Sequence, residues 1–335
     1  MKISELGGET ALINLIRKNY GATGQGDLVL GIGDDAALIR SGDQFIIVTA
    51  DLLIEKTHFR MDLNDAYLLG WKSAAVNISD IAAMGGLPTY SFVSIGLPDV
   101  DVSVVESIYQ GMRDVSSKYG SMIAGGDTVG SECGIVINLT QMGTVERDRV
   151  ALRSGAKVGD TIIVTNTLGD SLAGLNLLLK YGLDEAKKIS GYLVEQHLKP
   201  EPPIHEARAA VTTGKVHSMM DLSDGLSSDI KKLCSASGVG AKIFSDKLPI
   251  SNSLRDRAAN AGSDAITLAA IGGEDYELLL TCAAEDVDKV IEAIETTGSS
   301  ASAIGIIVDG KDALLVSSDG SEQPMPAFWE HFKET

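Results

Sequence analysis

Six short segments combine carboxylates with glycines or small polar residues, a combination that can hold magnesium ions against phosphates. They are residues 31–36 (GIGDDA), 49–51 (TAD), 77–80 (NISD), 125–128 (GGDT), 221–225 (DLSDG) and 272–275 (GGED). Any one of them alone could form a turn. Mg²⁺ takes oxygen ligands in octahedral geometry, usually one or two carboxylates with phosphate oxygens and waters. Because the chain has no Walker-type loop, the six segments together predict a polyphosphate held through metal ions.

The first segment also matches the loose dinucleotide fingerprint G-x-G-x-x-A, and Asp51 follows at about the spacing of a ribose-binding acid. Two features argue against a dinucleotide. The fingerprint needs a helix next, whereas residues 37–50 predict a strand, a turn and a second strand. Asp34 and Asp35 would also place two negative charges against a pyrophosphate, a repulsion that becomes attraction with metal ions between them. Magnesium is therefore favoured over a plain turn and over a dinucleotide.

The composition fits a globular chain of about two domains. It has 335 residues, 44% of them hydrophobic, and a formal charge of -18 without basic patches, which argues against nucleic-acid binding. Cys133, Cys234 and Cys282 fit neither a disulfide framework nor a zinc site and are interpreted as small buried hydrophobic residues. No signal peptide or membrane-spanning run is evident, so a soluble cytoplasmic protein without membrane partners is predicted.

The hydrophobic pattern predicts α/β layers, because strands and helices alternate in both halves. Asn64 is expected to cap one helix and Asp170 another. The polar, turn-rich stretch after residue 146 places a domain boundary near 150, giving domains 1–150 and 151–335. The predicted strands are 27–30, 45–50, 89–97, 135–145, 161–165, 219–221, 276–281, 302–308 and 313–316, and the predicted helices are 10–19, 64–84, 101–119, 170–181, 227–236 and 285–296.

Several candidate residues have a structural alternative. Asp80 lies in an otherwise apolar helix, where an acid is costly to bury unpaired, so it is either a ligand or a surface acid. The glycine pair before Asp127 allows a close approach to phosphate but also suits a hairpin turn. Asp221 and Asp224 lie where a strand passes into a helix, and Asp224 or Ser223 could cap that helix while also binding phosphate or metal.

Three other residues are less specific. His58 is more often structural than functional by type alone, and Arg153 could meet a phosphate or lie solvated on the surface. Trp329 belongs to an aromatic tail, 328–332 (FWEHF), where core packing and ligand stacking are both open.

The six segments, in this order and together with the Thr-x-Asp…His-Phe stretch and the aromatic tail, closely resemble the thiamine-monophosphate kinase family. The resemblance runs over nearly the whole chain. The wider group includes aminoimidazole ribonucleotide synthetase, selenophosphate synthetase and a hydrogenase maturation factor. Resemblance to this group implies a two-domain α/β fold, in which an N-terminal sheet pairs with its twin in a homodimer and a C-terminal α/β domain completes the site.

The resemblance also implies the reaction and the residues that perform it. The reaction is ATP-dependent phosphorylation of thiamine monophosphate to thiamine diphosphate with several Mg²⁺ ions. The residues implied to bind the metal ions, directly or through water, are Asp35, Thr49, Asp51, Asp80, Asp127, Asp221 and Asp224. Those implied to contact ATP are Gly126, Asp127, Arg153 and Ser223, and those implied to contact thiamine monophosphate are His58, Glu274 and Trp329.

The sequence departs from the family pattern at two places. Ala50 stands where a second threonine is common, and Val129-Gly130 stand where Thr-Arg-Gly is common, which leaves the contacts to phosphate open. Two alternatives to the kinase remain. One is another ATP-dependent enzyme of the same group, although the reactive cysteine of its selenophosphate or hydrogenase members has no counterpart here. The other is a catalytically silent nucleotide-binding regulator, although no loss of acids is evident.

Overall fold

The computed structural model describes residues 2–22 and 24–327 of the chain. Within them, two mixed β-sheets carry α-helices, so the predicted α/β architecture is confirmed. Trp329 and the rest of the aromatic tail lie outside the described residues. None of the described helices has both the length and the apolar composition of a membrane-spanning segment.

The first sheet has six strands in the order β1-β2-β3-β6-β4-β5. Neighbouring strands are antiparallel except β4 and β5, which are parallel. The strands are β1 (Leu28–Leu30), β2 (Ala37–Ser41), β3 (Gln44–Ile54), β4 (Leu87–Leu97), β5 (Met122–Gly130) and β6 (Val136–Glu146). The helices of this half are α1 (Ile3–Leu6), α2 (Glu9–Tyr20), α3 (Ala66–Ala83) and α4 (Val102–Lys118).

One face of the first sheet packs against helices α3 and α4. Buried and partly buried residues alternate along β6, and the buried side chains of Ile137 and Leu139 join α3 and α4 in one core cluster. The opposite face, called here the outer face, exposes large apolar side chains among the described residues. They are Leu52, Tyr90, Phe92, Met122 and Val129, each between 41% and 60% exposed.

The second sheet has seven strands in the order β13-β12-β9-β11-β7-β10-β8. Its strands are β7 (Thr161–Thr165), β8 (Val216–Asp221), β9 (Gly240–Phe244), β10 (Leu278–Cys282), β11 (Ala301–Val308), β12 (Ala313–Val316) and β13 (Glu322–Pro324). The helices are α5 (Asp170–Tyr181), α6 (Leu183–Leu198), α7 (Ile204–Thr212), α8 (Leu226–Ser237), α9 (Asn252–Ala261), α10 (Ala265–Ile271) and α11 (Val287–Glu295).

Helix α3 is buried along most of its length and links the two halves. Its residues contact β3 and β6 of the first sheet as well as β8 and α7 of the second half. It begins after Asp65, whose carboxylate accepts the N–H groups of Tyr67 and Leu68, so the predicted cap at Asn64 is wrong by one residue. A buried helix with polar residues on one side is well placed to carry a site between domains.

Four other local predictions differ from the structure. Strand β3 continues through Asp51 to Ile54, because the apolar pattern resumes after the acid. Asp170 is the first residue of α5, after Gly169, and makes no cap of its own. The GGDT segment lies inside β5, since its backbone pairs with β4 over its whole length. Cys133 is exposed, whereas Cys234 and Cys282 are buried as predicted.

Candidate active site

Three of the predicted ligands, Asp35, Asp80 and Asp221, converge on one point. Each contributes one carboxylate oxygen, and these oxygens all lie within 4.8 Å of one another. Asp35 precedes β2, Asp80 lies in the last turn of α3, and Asp221 ends β8. The cluster therefore joins the first sheet, the shared helix and the second sheet.

Two hydroxyl groups hold these carboxylates in place. Thr49 Oγ1 donates to Asp80 Oδ2 at 2.5 Å, and Ser79 Oγ donates to Asp221 Oδ2 at 2.6 Å. Both donors are buried, as is Asp221. Each bond favours one rotamer of its acid, so two of the three carboxylates, those of Asp80 and Asp221, are held by neighbouring side chains.

Arg153 lies beside the cluster, in the segment between β6 and β7. Its Nη2 and Nε donate to Asp35 Oδ1 at 2.5 and 3.1 Å, and its backbone N–H lies 3.2 Å from both carboxylate oxygens of Asp34. The Arg153 side chain is 21% exposed, so part of the guanidinium still faces outward. A planar cation in this position suits a phosphate next to the acids.

Asp51 and Asp224 form a second acidic pair near the cluster. The backbone N–H of Asp51 donates to Asn77 Oδ1 at 3.0 Å, which ties β3 to α3. Asp224 is exposed and accepts from Lys232 Nζ at 2.6 Å. Desolvation and then the charge of Asp224 raise the pKa of Asp51 to about 6, so the two carboxylates lie close enough to repel each other.

The same repulsion acts within the main cluster. Desolvation, followed by Asp51, Asp221 and Asp35, raises the pKa of Asp80. Desolvation and then Asp35 raise the pKa of Asp221 to about 8 and that of Asp34 to about 7. Ionising all of these acids together is therefore unfavourable, and a divalent cation bound among them would favour their ionised forms.

The donor set fits Mg²⁺. All the converging ligands are carboxylate oxygens, the class that Mg²⁺ prefers. Asp35 Oδ2 is buried and has no hydrogen-bond partner among the described residues. A buried, unpaired carboxylate oxygen is costly, and a metal ion bound there would remove that cost.

A second group of polar residues surrounds Glu274, in the loop between α10 and β10. Lys72 Nζ and His197 Nδ1 lie 3.0 and 3.3 Å from Glu274 Oε2. Desolvation raises the pKa of Glu274, but Lys72 and His197 lower it below its usual range, and His58 adds a smaller lowering effect. Two predicted substrate residues therefore lie in the same region.

Tyr276 is influenced by both groups. Its side chain is 8% exposed, and its pKa is raised first by desolvation and then by Glu274, Asp51, Asp221 and Asp80. Carboxylates of both groups act on the same phenol, so the two groups lie in one region of the molecule. Ser223 is in the same region, since its carbonyl accepts the Glu274 N–H at 2.8 Å.

Gly126 and Asp127 lie apart from this site. The register of the first sheet places Asp51 of β3 opposite Leu139 of β6. It places Leu139 opposite Val93 of β4, and Val93 opposite Gly126 of β5. Three strand spacings of about 4.8 Å separate Gly126 from Asp51, or roughly 14 Å. Asp127 is exposed and follows Gly126 on β5, the last strand of the sheet.

Gly126 has no room for a side chain. A Cβ there would lie 1.8 Å from the carbonyl oxygen of Val93. The glycine is therefore required for the pairing of β5 with β4, whatever it binds.

Sequence reasoning missed four residues of the site. Ser79 and Asn77 stand in the sequence only as small polar neighbours of Asp80, and Lys72 and His197 belong to none of the six segments. A lysine in the middle of a helix as apolar as α3 was the available signal for Lys72, because such a residue needs a buried partner. His197 had no comparable signal.

Comparison with known proteins agrees with this architecture. The model of the AIR synthase related protein N-terminal domain matches residues 33–145, and that of the C-terminal domain matches residues 157–316. The chain is 36% identical to the thiamine-monophosphate kinase of Aquifex aeolicus over 334 residues, covering 99% of this chain and 100% of that protein. It is 35% identical to the thiamine-monophosphate kinase of Escherichia coli K12 over 307 residues, covering 91% and 92%.

A solved structure agrees as well. AaThiL complexed with AMPPCP and TMP superposes with a TM-score of 0.86 at 35% identity, and covers 99% of both chains. The resemblance predicted from the acidic segments is thereby confirmed, and the chain belongs to the thiamine-monophosphate kinase family of AIR synthase related proteins.

Proposed function

We propose that the chain transfers the γ-phosphoryl group of ATP to the phosphate of thiamine monophosphate, forming thiamine diphosphate. The observation that carries the proposal is the convergence of Asp35, Asp80 and Asp221, with a buried, unpartnered oxygen on Asp35. The relatives are thiamine-monophosphate kinases, and the similar AaThiL structure is a complex with AMPPCP and TMP. Both findings support the same reaction.

The acceptor is itself a phosphate and already nucleophilic, so the reaction needs no strong general base. The difficulty is to bring two anions together in line, and positioning with charge neutralisation is the usual solution. Bound Mg²⁺ would supply most of that neutralisation. Its ligands in this proposal are Asp35, Thr49, Asp51, Asp80, Asp127, Asp221 and Asp224.

The remaining roles follow the two groups of the site. Gly126, Arg153 and Ser223 contact ATP, and Arg153 adds a fixed positive charge next to Asp35. His58, Glu274 and Trp329 contact thiamine monophosphate. Residues 1–150 form the ATP-binding, Mg²⁺-binding and dimerisation domain, and residues 151–335 complete the site.

We propose further that two chains form a homodimer through their first sheets. Strand β2 pairs with β3 only as far as Val48, so no described strand neighbours residues 49–54 on that edge of β3, where Asn77 and His58 side chains accept the N–H groups of Asp51 and Ile54. Strand β5 ends the sheet on its other side and has no neighbouring strand there among the described residues. Two strand edges without a neighbouring strand and an apolar outer face favour pairing with a second copy.

Such a dimer explains the isolated position of Asp127. That edge of β3 carries Thr49 and Asp51, which are two of the proposed ligands. If β5 of one subunit pairs with that edge, Gly126 and Asp127 of the partner subunit come next to Asp51. Each site is then completed by both chains.

Light scattering provides the first test of the dimer. We expect about twice the 35.2 kDa chain mass at micromolar concentration, because the exposed outer face is then covered. A Phe92→Lys variant places a charge in the centre of that face and should shift the mass toward one chain. A fully active wild-type monomer would contradict the dimer.

Product analysis tests the reaction. With ATP, Mg²⁺ and thiamine monophosphate we expect equal amounts of ADP and thiamine diphosphate, and no phosphorylation of unphosphorylated thiamine, which lacks the acceptor phosphate. ATP binding without turnover would favour a silent regulator instead. Turnover of ATP only with a different acceptor would favour another activity of the wider group.

A further inference from the structure

Lys72 is a lysine buried in the middle of helix α3, eight residues before Asp80. It is 2% exposed. Its ammonium group donates to Glu274 Oε2 and to the carbonyl oxygen of His197, each at 3.0 Å. A charged amine taken out of water needs such partners, and the removal of either partner is costly.

His197, at the end of α6, completes the arrangement. Its ring is 6% exposed, and Nδ1 lies 3.3 Å from Glu274 Oε2 and 3.0 Å from Ser171 Oγ. Desolvation and then the charge of Lys72 lower the pKa of His197 to about 3, so the ring is neutral at neutral pH. The local charge balance is therefore one lysine against one carboxylate.

Glu274 connects this buried pair to the accessible part of the site. Its side chain is 31% exposed, and both contacts described above use Oε2. Its backbone has a φ of +64°, a left-handed conformation that is unfavourable for glutamate, and Tyr276 has a φ of +52°. Such strain persists where the surroundings fix the residue, as at a ligand-binding loop.

We propose that Lys72 and His197 are positioning residues for Glu274: Lys72 donates to Oε2 and the neutral His197 ring packs against that oxygen, so that Oε1 is presented to the acceptor substrate. The ligand class is an electron-poor or cationic heteroaromatic ring bearing an N–H donor, which a fixed carboxylate recognises by charge and hydrogen bond. Thiamine monophosphate offers both features, the charge on its thiazolium ring and the N–H donor on its aminopyrimidine ring. The inference rests on the proposed function and specifies how the same site selects its acceptor.

The test is a comparison of two Michaelis constants. Lys72→Met should raise KM for thiamine monophosphate at least about 10-fold, because Glu274 loses its compensating charge, while KM for ATP stays within about twofold. The control is Lys118→Met, which removes another lysine, paired with Glu201 and 47% exposed. It should leave both constants unchanged.

A double-mutant cycle separates positioning from a general packing effect. In a Glu274→Gln background, Lys72→Met should raise the acceptor KM little further, because the carboxylate it positions is gone. Additive effects, an unchanged acceptor KM, or equal increases in both constants would overturn the inference. These comparisons are made with a wild-type enzyme that is active on thiamine monophosphate. A wild type that is inactive on it would overturn both the proposed function and this inference.

A second pair of variants decides the question if Lys72→Met does not fold. His197→Gln keeps a donor and an acceptor near Glu274 and Ser171, and should retain the acceptor KM within about threefold. His197→Leu has neither group and should raise it about 10-fold or more. Equal constants for these two variants would contradict the positioning role of His197.

Discussion

Replacing Asp80 with asparagine is expected to remove at least about 99% of the activity, since fixed electrostatic groups commonly contribute 100-fold or more to a rate. Asp80 lies between Asp35 and Asp221, with the three carboxylate oxygens within 4.8 Å of one another. Asparagine keeps the shape and can still accept the hydrogen bond from Thr49, but it has no charge for a metal ion. Steady-state rates at saturating Mg²⁺ measure the loss.

The same substitution should stabilise the metal-free protein. Asp80 is crowded by other carboxylates, so removing its charge relieves repulsion and should raise Tm in EDTA by roughly 2–4 °C. Mg²⁺ with ATP should then raise Tm much less than it does for wild type. Asp256→Asn, at an exposed position of α9, is the control and should change neither quantity. Full activity of the Asp80 variant would remove Asp80 from the metal site.

Two inactive chains are expected to restore activity when they are combined in one dimer. The chains carry Asp80→Asn and Asp127→Asn, and two different affinity tags isolate the heterodimer. If Asp127 acts on its partner, one site of the heterodimer lacks both acids and the other is intact. The heterodimer should therefore have about half the wild-type activity, as expected for two equivalent sites in a symmetric dimer.

The control places both substitutions on the same chain. A heterodimer of a wild-type chain with a chain carrying both substitutions has one defect in each site and should be nearly inactive. If Asp127 instead acts within its own chain, the two results exchange: the first heterodimer is inactive and the control has half the activity. That exchange would rule out a site shared between subunits.

Local chemistry made much of this site predictable. Asp35 follows two glycines, Asp80 interrupts an apolar helix, and Asp221 lies where a strand passes into a helix; each of these positions predicts a ligand. The structure brings these three acids together, as a metal site requires. The end of β3 was less predictable. Asp51 follows an apolar run and resembles a strand end, but the backbone of β3 keeps pairing with β6 as far as Ile54, so the strand continues.

Contacts between distant parts of the chain account for most of what sequence reasoning missed. Lys72 and Glu274 are 202 positions apart, and no local pattern pairs a helix lysine with a loop glutamate. His197 joins them only because α6 packs near α3. Asp127 is a different case, since its proposed role depends on a second chain and not on the fold of one.

The most direct test of the whole account follows the γ-phosphate of ATP. In a single-turnover reaction with γ-labelled ATP, Mg²⁺ and thiamine monophosphate, the account predicts one label in each thiamine diphosphate and no labelled protein. EDTA should abolish the transfer, and excess Mg²⁺ should restore it. Label on the protein, label released as inorganic phosphate with the acceptor unchanged, or undiminished transfer in EDTA would contradict direct, magnesium-dependent transfer.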